Sequence, residues 1–165
     1  MNKWIKLVLC ILVSHAAGLV GSIFSTPSIA ILYNSLHKPP FTAAAEVFAP
    51  VWLVLYTLIG IALYLVLIQK EDKKNIKNSR FSNTFRIAIF AFGLQLILHA
   101  FWSALFFGLR SPLLGLIEIA LLWGTIIVTI VYFFRINKIA GWLLIPYILW
   151  ISFALILNLG IWVLN

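Results

Sequence analysis

The chain has 165 residues, of which 64% are hydrophobic and only 10% charged, with a formal net charge of +8. A water-soluble domain of this composition would lack the polar residues to cover its surface, so a soluble fold is excluded and a membrane protein is indicated. The apolar stretches are continuous rather than alternating, which also excludes a transmembrane β-barrel.

The expected class is therefore an all-α integral membrane protein with the lipid bilayer as its first partner. A hydrocarbon core takes about 20 apolar residues per helix, and the sequence divides into five such spans, at about 5–24, 47–68, 85–108, 113–134 and 140–164. They read as a single domain, 1–165, forming a five-helix bundle. The first span follows Lys3 and Lys6 and resembles a signal peptide, with Ser14-His15-Ala16 offering a small-x-small cleavage pattern. Its apolar character continues to Ala30, so it is kept as a span, and Ser14, Gly18 and Ser22 give it a small-residue face suited to close helix packing.

Residues 25–46 form a long first loop, broken by Pro27, Asn34, Pro39 and Pro40, with a short helical turn expected at Ile29 to Leu36. Loops of this length are often functional, and this one is positioned to cap the bundle. The second span carries Trp52, Tyr56, Gly60 and Tyr64 at four-residue steps, on one helical face. A hydrophilic loop, Gln69 to Thr84, separates it from the third. Short turns at Arg110 to Pro112 and Arg135 to Lys138 lead into the fourth and fifth spans.

Charge would suggest nucleic acid in a soluble protein. Here it sorts by loop, and no nucleic-acid partner is expected. Lys3, Lys6, Lys70, Lys73, Lys74, Lys77, Arg80, Arg86, Arg135 and Lys138 fall on one side of a five-span topology, leaving only Lys38 and Arg110 of the 12 cations on the other. Positive residues favour the cytoplasmic side, which predicts the N-terminus in and the C-terminus out. The single cysteine, Cys10, excludes an intramolecular disulfide.

Polar groups at membrane depth are costly unless they face the bundle interior. At about 1.5 Å of rise per residue, Glu118 lies roughly 7 to 8 Å inside the outer end of the fourth span. Trp52, Trp102, Ser103 and Asn158 fall at a similar level, with Gly21, Ser22 and Ser25 near the outer end of the first span. Gln95, His99 and Ser103 share one face of the third span, and Pro146, Trp150, Ala154 and Asn158 one face of the fifth. These faces are expected to turn inward beneath the first loop. An apolar chamber with a few polar groups is the usual form of a small-molecule site, and indole faces suit a flat, conjugated ligand.

Packing competes with ligand contact as a reading of Trp52, Trp102 and Trp150. Trp4, Trp142 and Trp162 read as interfacial anchors, Trp123 is compatible with a lipid-facing position, and His15 with a buried hydrogen bond. Glu118 could instead tie two helices, for example to His99. No metal is expected, because His15, His37 and His99 share no helix-turn spacing and no thiolate cluster assists them. No nucleotide loop, nucleophile elbow or carboxylate pair is present.

Ordered motifs then carry a resemblance. Leu36-x-Lys38-Pro39-x-Phe41-Thr42 followed by Val47-Phe48-x-x-Val51-Trp52-x-x-Leu55-Tyr56-x-x-x-Gly60 resembles the first loop and second helix of the tryptophan-rich sensory protein/translocator protein family, the peripheral-type benzodiazepine receptors. Trp102-Ser103-x-Leu105-Phe106-Phe107-Gly108 is similar to the family's third-helix motif. Leu144-x-Pro146-Tyr147-x-x-Trp150-x-x-Phe153-Ala154-x-x-x-Asn158 is similar to its fifth-helix motif. The resemblance implies a five-helix membrane protein, commonly a homodimer, that binds porphyrins such as protoporphyrin IX between its helices, with no required cofactor. It implies ligand-facing roles for Trp52, Trp102, Trp150, Ala154 and Asn158, with Leu114 and Ile117 added by alignment through the Phe-Phe-Gly turn. It further implies a part in tetrapyrrole regulation or handling and a bacterial inner-membrane location.

Lys38, His99 and Glu118 complete the candidate set, Lys38 and Arg110 being the outer cations available to ligand carboxylates. Light-dependent porphyrin breakdown at Trp52, Trp102 or Trp150 is the enzymatic alternative, and proton-linked transport or stress signalling through Glu118 and His99 is another. The chain departs from the family pattern at Ala43-Ala44-Ala45, where a pair of prolines is usual, at Leu32, where Trp is common, and at His99, where Asn is usual. A sterol motif is absent after Tyr147, and Val128, Tyr132 and Arg135 match it only weakly. No dedicated sterol function is expected.

Overall fold

The structure is a computed structural model and describes residues 2–28, 35–72 and 79–165. Its elements are α1 (Lys3–Ser28), α2 (Ala45–Asp72), α3 (Ser79–Ser103), α4 (Pro112–Ile136), α5 (Lys138–Leu143) and α6 (Ile145–Leu164). Among the described residues there is no strand, and five segments are long and apolar enough to cross a membrane, α5 and α6 together making the fifth. Closed helices satisfy every main-chain donor and acceptor within the segment, the condition for a chain in hydrocarbon. The protein is a multi-pass integral membrane protein of the all-α class.

The helices close into a ring. α1 packs on α2 and α3, α3 on α4, α4 on α5 and α6, and α2 on α5. Small residues permit the tightest of these approaches. A Cβ at Gly60 would lie 2.5 Å from Ile11 Cα, so α1 and α2 touch backbone to backbone there. At Gly18 it would lie 2.3 Å from the Tyr56 ring. Ser14 is fully buried and bonds back to the Cys10 carbonyl at 3.0 Å. The Ser14 and Gly18 face is thus consumed by packing within the chain, and only Ser22 of that stripe is exposed.

The interior of the ring is filled by Ile59 and Val66 of α2, Phe92 of α3, Ile126 and Phe133 of α4, and Ile151 of α6. Phe92 and Phe133 stack with centroids 5.7 Å apart. Glu118, Ile119, Leu122, Ile126, Thr129, Ile130 and Phe133 mark the buried stripe of α4 at helical period.

Three local features depart from the sequence expectation. The hydrophilic stretch from Gln69 is partly helical, since α2 runs to Asp72 and α3 starts at Ser79. No Gly or Pro interrupts it, and a helix can carry its own hydrogen bonds out past the hydrocarbon. Lys6 of α1 bonds Glu71 at this end of α2. The fifth span breaks at Leu144, whose N–H turns back to Gly141 at 3.2 Å. Pro146 lacks the N–H that a continuous helix would need there. Finally, α3 ends in a widened turn over Ala104–Gly108, closed by Leu109 N–H on the Ala104 carbonyl at 2.9 Å. Such π-type turns recur at functional sites.

Arg110 then takes a left-handed conformation, φ 51°, and Ser111 caps α4 by accepting from Leu114 N–H at 3.3 Å. Asn137 ends α4 and caps α5, accepting from Ala140 N–H at 3.1 Å. The helical turn expected at Ile29 to Leu36, and the lysines 73, 74 and 77, lie outside the described residues in whole or in part.

Candidate ligand-binding site

Two aromatic groups meet at the end of the bundle below the first loop. Trp52 is the hub of the larger one. Its ring stacks on Tyr56 at 5.3 Å and meets His99 edge-on at 4.6 Å. It meets Tyr147 and Trp150 edge-on, each at 6.4 Å. The Tyr56 hydroxyl and His99 Nε2 form a hydrogen bond that joins α2 to α3.

The second group follows from the widened turn, which puts Trp102, Phe106 and Phe107 in mutual contact. Trp102 stacks on Phe106 at 5.2 Å and meets Phe107 edge-on at 5.9 Å. With its amide oriented to satisfy both neighbours, Asn158 accepts from Trp102 Nε1 at 3.2 Å and donates to the Pro112 carbonyl at 2.9 Å. One buried amide therefore ties α3, α4 and α6 together.

The first loop closes this end. Leu36 of the loop and Phe48 in the first turn of α2 pack on Phe106, Phe107, Leu157 and Ile161, and Phe48 meets Trp150 edge-on at 5.7 Å. Pro39 seats on Gly160, where a Cβ would lie 2.5 Å from the proline ring. The Pro39 carbonyl accepts from Thr42 N–H at 3.1 Å and from its hydroxyl at 2.7 Å, fixing a turn. Asn165, the last residue, accepts from His37 N–H at 3.0 Å and donates to the His37 carbonyl at 2.9 Å.

Several buried polar atoms of the site have no hydrogen-bond partner among the described residues: both amide atoms of Gln95, His99 Nδ1, both oxygens of Glu118, and Trp150 Nε1. Buried polar atoms are normally paired, and those left over call for an explanation in terms of a water, an ion or a ligand.

The candidate residues divide by position. Trp52, Trp102, Trp150 and Ala154 pack against the core, Asn158 and Glu118 are buried within it, and His99 lies in the Trp52 group. Leu114 and Ile117 do not join them. They are 40% and 52% exposed, while the next residue after each, Gly115 and Glu118, is buried. Lys38 and Arg110 are exposed. Pro146, expected on the inward face, is exposed, and Tyr147 is buried in its stead. Tyr147 stands in the fifth-helix motif three residues before Trp150, but the four-residue face read from the sequence passed it by. Trp123 is not turned fully to lipid. It packs on the core and donates Nε1 to Ser152 Oγ at 2.9 Å. His15, half-buried, contacts the Ile11 carbonyl through Nδ1 at 3.0 Å.

The comparisons with known proteins agree with this architecture. The family model described as TspO/MBR family matches residues 10–163. A tryptophan-rich protein TspO of Chlorobaculum tepidum is 42% identical over 100% of this chain and 99% of its own length. A protein of the same name from Archaeoglobus fulgidus is 42% identical over 98% of this chain and 97% of its own. The translocator protein of Bos taurus is 29% identical over 96% of this chain and 89% of its own. With five membrane-crossing helices, inward indoles and a match that runs nearly end to end, the chain belongs to the TspO/MBR family.

Proposed function

We propose that this protein binds a flat tetrapyrrole, of which protoporphyrin IX is the test case, between its helices beneath the first loop. The observation that carries the reading is the convergence of Trp52 and Trp150 on one interior group, with Trp102 across the loop-covered end, beside polar atoms that have no hydrogen-bond partner among the described residues. A porphyrin face would replace ring-to-ring contacts with contacts of the same kind, worth about 0.5–1.5 kcal/mol each beyond area burial. Its carboxylates would reach toward Lys38 or Arg110 at the outer rim. The rings now touch one another, so entry requires the loop segment around Pro39 to lift from Gly160. Handling or regulation of tetrapyrroles is the corresponding cellular role, in the inner membrane of a bacterial cell.

Titration of purified protein in detergent with protoporphyrin IX, followed by the porphyrin's main absorption band, tests the reading. A saturable, stoichiometric shift that weakens in Trp52→Ala supports it. A shift equal to that in empty micelles refutes it.

A second reading is enzymatic, and the edge contact between Trp52 and Trp150 favours it, since two indoles in contact can share the charge left after electron transfer to an excited porphyrin. Under illumination Trp150→Phe would then slow porphyrin loss more than it weakens binding. We further propose a homodimer through the end of α3 and the widened turn after it, where Ala100 and Ala104 are half-buried and Gly108 is exposed.

A further inference from the structure

The other end of the bundle carries a second feature that the tetrapyrrole reading does not use. A groove of about 590 Å³ opens between the end of α2 and the beginning of α3, lined by Lys70, Asn83, Phe85, Arg86, Ile89 and Phe90 among others. We propose that it holds the phosphate headgroup of an anionic phospholipid from the surrounding bilayer.

Charge gives the first reason. Two cations and one amide reach the groove, and no carboxylate lines it among the described residues. Glu71, beside Lys70 in the chain, is engaged by Lys6 of α1. Lys70 Nζ sits 4.2 Å from the centroid of the Phe85 ring, which holds the ammonium at the groove. Basic pockets between membrane helices near the interface are a recurrent way of binding anionic headgroups.

The wall decides between a lipid and a free anion. Inorganic phosphate would need only the cations. Arg86 is instead followed on the same face of α3 by Phe90, Ile97 and Phe101, which are 72%, 56% and 57% exposed. From Arg86 to Phe101 this stripe runs about 22 Å toward the far side of the membrane at 1.5 Å per residue. A phosphate at Lys70 and Arg86 would place an acyl chain along that stripe, so both parts of a phospholipid have a surface to meet. The site lies at the end of the bundle opposite the first loop, apart from the aromatic groups.

The test uses the full chain in neutral detergent, with native mass spectrometry counting retained palmitoyl-oleoyl phosphatidylglycerol against phosphatidylcholine of the same chains. Wild-type protein is expected to retain the glycerol lipid preferentially. Lys70→Gln with Arg86→Gln should remove the preference, a loss on the order of tenfold. The charge-conserving pair Lys70→Arg with Arg86→Lys should keep it. A pair that removes the same charge elsewhere, Lys3→Gln with Lys138→Gln, should also keep it. Equal retention of the two lipids by wild-type protein overturns the proposal without reference to any variant. Loss in the Lys3/Lys138 pair equal to that in the Lys70/Arg86 pair overturns it in favour of diffuse attraction. Displacement of the lipid by millimolar inorganic phosphate alone overturns it in favour of a free-anion site.

Discussion

Gly60 and Gly124 look alike in sequence, each a glycine inside an apolar helix, yet their surroundings are opposite. A Cβ at Gly60 meets Ile11 Cα at 2.5 Å and Ile11 N at 2.9 Å, whereas nothing lies within 4 Å of one at Gly124. Alanine at either site gains up to about 1 kcal/mol of helix preference. At Gly60 that gain is outweighed, because two backbones must separate and overpacking typically costs 1–3 kcal/mol. Gly60→Ala is therefore expected to lower the thermal-unfolding midpoint in detergent, with a net loss of stability of up to about 2 kcal/mol, while Gly124→Ala leaves it unchanged or raises it. The stripe of Trp52, Tyr56, Gly60 and Tyr64 was legible as one face because helical period alone defines it. That Gly60 meets α1 was not legible, because period says nothing of which neighbour a face meets. The same limit explains Trp123, whose Ser152 partner lies 29 residues away on another helix.

At the scale of elements, the first loop is held, besides the packing of Leu36, at two points that the proposed ligand entry would have to release. Pro39 rests on Gly160, and the side chain of Asn165 spans the His37 backbone while also donating to the Ile161 carbonyl at 2.8 Å. Asn165→Ala removes the second point without touching the aromatic groups. Stopped-flow measurement should show protoporphyrin leaving several-fold faster, since the two hydrogen bonds that hold His37, about 0.5–1.5 kcal/mol each, are lost at the closed loop. An unchanged dissociation rate would mean that the loop does not gate the site. The loop's capping position could be placed from its length and its prolines, and the inward faces of α3 and, Pro146 excepted, of α6 from their four-residue steps. The break at Leu144 and the widened turn at Ala104–Gly108 could not be placed so, although Pro146 supplies the physical cause of the first. Leu114 and Ile117 came from the family resemblance. The structure leaves both of them partly exposed, beside the buried Gly115 and Glu118.

For the whole molecule, composition and run length were enough for the class and for five membrane-crossing segments, because hydrocarbon permits so few backbone arrangements. Orientation rests on the distribution of lysine and arginine, part of which falls on residues 73, 74 and 77. It predicts that Asn165→Cys, in a Cys10→Ser background, reacts with a membrane-impermeant thiol reagent in intact cells and that Lys138→Cys does not. The reverse pattern would invert the topology and move the capped end to the cytoplasm. Function turns on whether the interior indoles meet a ligand, and tryptophan emission reports that most directly. Two variants suffice: one with Trp4, Trp123, Trp142 and Trp162 changed to Phe, the other with Trp52, Trp102 and Trp150 changed to Phe. Titrated with protoporphyrin IX, the first is expected to keep saturable, stoichiometric quenching and the second to lose it. Quenching that persists in the second variant and vanishes in the first would place the ligand at the periphery and contradict a site beneath the loop.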